Sequence, residues 1–161
     1  MSTKPETFAR NLVKGKIAET IFAQMLREVG GFTVLEFGYE KVIPELFNKN
    51  LETKDVKAIR DIIRHAPDFA VINTQKRSVH LIEVKYQRKL SKKYVLEDAR
   101  RMHQSWNPSY IFIATLDGFY FDEITKVIKN NGDISPLDHP QISDEVQQRY
   151  LKILRDFEGN N

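Results

Sequence analysis

The chain has 161 residues, a mass of 18.8 kDa, 41% hydrophobic and 29% charged residues, and a formal charge of +3. That is enough for one domain with a sizeable core, and no apolar run approaches the ~18 residues of a membrane span. The absence of cysteine excludes disulfides, thiolate metal sites and thiol nucleophiles, and the mild basic excess is compatible with a nucleic-acid partner.

Residues Met1 to Arg10 lack the apolar centre of a signal peptide, so a cytoplasmic protein is expected, with no membrane association. From about Asn11 to Val29, Ile17, Ile21, Phe22, Met25, Leu26 and Val29 recur at three- and four-residue spacing, which predicts a helix stopped by Gly30-Gly31. Phe32 to Tyr39 is rich in aromatic and β-branched residues and reads as a strand. Leu51 to His65 is expected to be helical, with Val56, Ile59, Ile62 and Ile63 on one side. Two strands follow, Asp68 to Asn73 and Val79 to Gln87, joined by a short polar connection.

A second long helix is predicted over Lys92 to Trp106, capped by Ser91 and ended before Pro108. Tyr110 to Ala114 is almost wholly apolar, as a strand covered on both faces should be. Phe119 to Ile128 fits either a strand or a short helix. A last helix spans Ser143 to Phe157 and stops at Gly159. The order argues an α/β fold with a central mixed sheet flanked by helices.

One constellation breaks the local patterns. Pro67-Asp68, the only Pro-Asp in the chain, opens an apolar strand, and Glu83-Val84-Lys85 lies in the middle of the next one. Strand side chains alternate, so Glu83, Lys85 and Gln87 share one face and His80 lies on the other. If the two strands pair, Asp68 converges on Glu83. Two carboxylates and a backbone carbonyl make a hard oxygen site suited to Mg²⁺, and Lys85 beside them could orient or deprotonate a water attacking phosphorus. An edge strand guarded by charges is the alternative. Glu19 sits at the margin of the first helix's buried face, where it could join the carboxylates or pair with a nearby lysine.

Pro67-Asp68, Glu83-x-Lys85 and the helix Gly15-Lys16-Ile17-Ala18-Glu19 together resemble the PD-(D/E)xK nuclease superfamily, with its restriction-endonuclease-like fold. The helix motif is similar to that of the Holliday-junction-resolvase-like branch. The resemblance implies an αβββαβ core over about residues 11–114, a helical insertion at about 40–65, and an extension at 115–161. It further implies a Mg²⁺-dependent endonuclease acting on DNA, with Mn²⁺ able to substitute. Asp68 and Glu83 are then the metal ligands with the Val84 carbonyl, Glu19 is an auxiliary ligand, and Lys85 handles the water. A nuclease-like fold used only for DNA binding or complex assembly stands as the alternative.

Arg88, Lys89, Lys92 and Lys93 form a basic cluster with Lys85, and they and Gln87 are candidate phosphate contacts; a solvated strand end for Gln87 and a solvated helix start for Lys92 and Lys93 are the alternatives. A homodimer would suit cuts on two strands, and dependence on a partner subunit is equally consistent. The four histidines show no metal-ligand spacing. His80 is expected to be packed rather than catalytic, while Trp106, Tyr110, Phe112, Phe119, Tyr120 and Phe121 read as core.

Overall fold

The computed structural model describes residues 4–38 and 54–159. Five strands form one sheet in the order β1 (Phe32–Glu36), β2 (Phe69–Asn73), β3 (Ser78–Tyr86), β4 (Tyr110–Ala114), β5 (Phe119–Glu123). Only β3 and β4 are parallel; the other neighbours run antiparallel, so the sheet is mixed. The helices are α1 (Lys4–Val29), α2 (Lys54–Arg64), α3 (Lys92–Ser105), α4 (Ile124–Lys129) and α5 (Asp144–Gly159). The α/β class and the flanked mixed sheet agree with the sequence reading. The sequence expectation for 39–53, most of the inserted segment, falls outside the described residues.

Two apolar layers sandwich the sheet. On one face Ala18, Phe22 and Met25 of α1 and Leu151 and Leu154 of α5 pack on Phe69, Ile82, Val84, Phe112 and Phe119. On the other, Val95, Ala99 and Met102 of α3 join Ile124 and Val127 of α4 over Ile111 and Ile113. The four-residue rhythm of each helix meets the two-residue alternation of β4, so neighbouring β4 residues bury in opposite layers. Each layer excludes water from large aliphatic and aromatic groups, at roughly 1.5–3 kcal/mol for a fully buried side chain.

Phe119 to Ile128 resolves into both candidates. Its first half pairs with β4, and its second half turns into α4. Helix α1 begins at Lys4, well ahead of the expected Asn11, because its first turns are amphipathic only weakly: Phe8 and Leu12 are exposed there. Among the aromatics read as core, Phe112 and Phe119 are buried, whereas Trp106, Tyr110, Tyr120 and Phe121 are half-buried. Tyr110 stacks on Phe121 at 5.3 Å, and the Trp106 indole N–H donates to the Ile62 carbonyl at 2.9 Å, tying α3 to α2.

Candidate active site

The β2–β3 hairpin supplies the first two groups. Its register places Phe69 opposite Ile82, which brings Asp68 beside Glu83 just past the paired region. The turn is fixed by Asn73, whose Oδ1 accepts from the N–H groups of Gln75 and Lys76 at 3.2 and 3.1 Å. Pro67 is fully buried and, with no N–H to donate, suits the entry to a strand. The Asp68 carbonyl accepts from Phe37 and Gly38 N–H at 2.8 and 3.2 Å, and its Oδ2 accepts from Val84 N–H at 2.8 Å. Backbone and side chain are therefore both anchored, one to the β1 exit and one to β3.

Glu83 and Lys85 stand two apart on the same face of β3, and Lys85 Nζ lies 2.7 Å from Glu83 Oε1. Glu83 is almost wholly buried, with only 8% of its surface exposed. Burial pushes its carboxyl up, against the opposing pull of the Lys85 ammonium. Burial by itself would lower the Lys85 value; the charge and hydrogen bond of Glu83 outweigh it and raise the ammonium above its ordinary range. Lys85 is thus a protonated donor at neutral pH. Asp68 is pushed up to about 7, first by burial and then by the Glu83 charge, with the Val84 N–H bond opposing.

These groups open onto a cleft of about 800 Å³ lined by α1 from Asn11 to Thr20, by Arg64 and His65 at the end of α2, and by Asp68, Glu83, Lys85 and Arg101. Glu19 reaches the same cleft, and its Oε2 is paired with Lys16 Nζ at 3.0 Å. Val84 sits in the centre of the sheet, in register with Phe112. Among the described residues no three His, Asp or Glu side chains close into a group able to hold a metal ion. The carboxylates of Asp68 and Glu83 act on each other, and the charge of Glu19, which lines the same cleft, also pushes the Asp68 carboxyl up.

The basic cluster is not part of this wall. Gln87, Arg88, Lys89, Lys92 and Lys93 do not line the cleft. Gln87 instead uses its Oε1 to accept from Ser91 N–H at 2.8 Å, bracing the entry to α3. Lys92 is paired with Asp133 at 2.5 Å, and Lys93 lies 5.9 Å from the Tyr94 ring centre. Arg88 and Lys89 are exposed. All five follow the end of β3 at Tyr86, in the connection to α3 and its first turn.

The cationic groups that do line the cleft are Lys16, Arg64, Lys85 and Arg101. Arg101 belongs to α3, is bonded to Asp98 at 2.9 Å, and its charge acts on Glu83. The available signal was the Asp98–Arg101 spacing beside the apolar line Val95, Ala99, Met102, which marks a partly covered ion pair. His80 takes the packed role expected of it: its Nε2 lies 3.0 Å from Ser78 Oγ, and its ring meets Tyr110 edge-on.

Chemically, the site offers two adjacent carboxylates that resist simultaneous ionisation, a protonated lysine, and a cationic rim. No protein-family model matches the chain, and no curated protein matches it in sequence.

Proposed function

We propose that the chain is a metal-dependent endonuclease that hydrolyses DNA phosphodiester bonds at Asp68, Glu83 and Lys85, with the PD-(D/E)xK arrangement of a restriction-endonuclease-like fold. The observation that carries this reading is the convergence of a half-buried Asp68, a buried Glu83 and a protonated lysine on one open cleft. The order α1, β1, α2, β2, β3, α3, β4, with β1 to β3 paired antiparallel and β4 parallel to β3, supports it as well, α2 being an addition between the first two strands.

The donor set fits a hard divalent cation. Asp68 is raised because burial and Glu83 both oppose its charge, and a positive ion between such carboxylates removes both penalties. Asp68 and Glu83 would hold Mg²⁺ or Mn²⁺, with the Val84 carbonyl and Glu19 as further oxygen donors. The chemistry a bound ion supplies is activation of water and neutralisation of charge at phosphorus.

The chain's own residues account for the rest. Lys85, kept protonated by Glu83, donates hydrogen bonds to water or to a phosphate oxygen and offsets negative charge that grows during attack. Glu83 fixes the direction of that ammonium. Arg101, Arg64 and Lys16 make the cleft attractive to a phosphate backbone. Cutting of single-stranded, duplex, flapped and four-way-junction DNA in Mg²⁺, Mn²⁺ and EDTA tests the reading. Metal-dependent cutting of at least one substrate is expected. No cutting of any, by a folded and nuclease-free preparation, overturns it in favour of a binding or assembly role.

A further inference from the structure

Gly15 lies in the body of α1, where a glycine costs about 0.8–1.0 kcal/mol relative to alanine. Gly30 and Gly132, by contrast, have a backbone reason to be there. Gly30 ends α1 at φ +73°, and Gly132, at φ +94°, lies where a Cβ would come within 2.4 Å of the Lys92 carbonyl oxygen. Gly15 has neither: it takes a helical conformation, and a Cβ placed on it meets nothing within 4 Å. The internal packing of the described residues therefore gives no use for the missing side chain.

Its position does. Gly15 lines the cleft that Asp68 and Lys85 also line, one helical turn from Glu19 and one turn from Asn11. A bare helix turn beside a reactive centre lets an incoming chain approach the helix backbone closely. We propose that Gly15 is the seat for the sugar–phosphate backbone of the substrate strand. The strand lies across the bare turn so that its scissile phosphate reaches Asp68, Glu83 and Lys85. Asn11, whose amide can donate to a phosphate oxygen, and Lys16 flank the seat. This rests on the nuclease reading above and adds the surface that positions its substrate.

The seat and the fold make opposite demands on residue 15, which sets the experiment. Gly15→Ala and Gly15→Leu are compared with wild type for melting temperature and for kcat/KM of cutting. Binding of a fluorescent oligonucleotide is followed by anisotropy, with both changes also placed in an Asp68→Asn background to prevent turnover. Gly15→Ala should raise the melting temperature by about 2–4 °C, because it improves helix propensity in open space. It should nonetheless lower kcat/KM by about 10-fold, and Gly15→Leu by about 100-fold, as the strand is displaced by the added side chain. Oligonucleotide binding should weaken in the same order. Variants that cut and bind like an active wild type overturn the seat alone. A loss of function accompanied by a lower melting temperature also overturns it, since the glycine is then structural. A wild type that neither binds nor cuts overturns the nuclease reading and the seat together.

Discussion

Replacing Asp68 with asparagine removes a charge that the fold resists. Burial and Glu83 hold the Asp68 carboxyl at about 7, against an ordinary value of 3.8, so between those values the folded chain binds a proton that the unfolded chain has released. Stability from this group therefore falls as pH rises from about 4 to about 7, and is flat above that. Moving the carboxyl from 3.8 to about 7 corresponds to about 4 kcal/mol, at about 1.36 kcal/mol for each tenfold change in proton affinity. Asp68 is half-buried, so solvent screens part of the field, and the amide still has to be desolvated. About half, near 2 kcal/mol, is the gain to expect from Asp68→Asn at pH 8. The asparagine Oδ1 can keep the bond from Val84 N–H, so the strand entry is preserved. In a chain of this length the gain corresponds to a melting temperature about 4–8 °C higher at pH 8, shrinking toward zero near pH 4.5. Thermal unfolding of both proteins across that range, without divalent metal, measures it. An asparagine variant no more stable at pH 8, or equally favoured at both ends, refutes the reasoning about the carboxylate pair.

Three further outcomes follow from the same structure. Millimolar Mg²⁺ should raise the melting temperature of wild type at pH 8 by several degrees and that of Asp68→Asn by much less, as calorimetry would show. Lys85→Met leaves Glu83 buried without its cation and should cost about 2–3 kcal/mol at pH 8, with a smaller cost near pH 5 where Glu83 protonates more readily; denaturant titration at the two pH values separates these. Gly132→Ala should cost about 2–3 kcal/mol by the same titration, because φ is +94° and the new Cβ would press on the Lys92 carbonyl; an effect below about 0.5 kcal/mol contradicts the geometry.

Much of the frame was legible because its signals are local. The apolar run from Tyr110 to Ala114 announces a strand buried on both sides, and Ile111, Phe112 and Ile113 are fully buried. Pro67-Asp68 and Glu83-x-Lys85 were legible for the same reason, since strand alternation and a short hairpin fix which side chains share a face. Phe119 to Ile128 was ambiguous because an apolar stretch that changes from strand to helix midway carries both periods at once.

What escaped the sequence depends on where elements cross. Arg101 reaches the site only because α3 lies over the Glu83 face of the sheet, and no spacing along the chain encodes that approach. The cluster from Arg88 to Lys93 is dense in sequence, yet it does not line the cleft, and Lys92 pairs with Asp133.

The most direct measurement is cutting of labelled DNA in Mg²⁺ at pH 8 by wild type and Asp68→Asn, each shown to be folded by its melting curve. The account predicts that wild type cuts and that the asparagine variant, although the more stable protein, does not. Equal cutting by the two would contradict it, because the carboxylate that the fold strains to hold would then have no part in the chemistry.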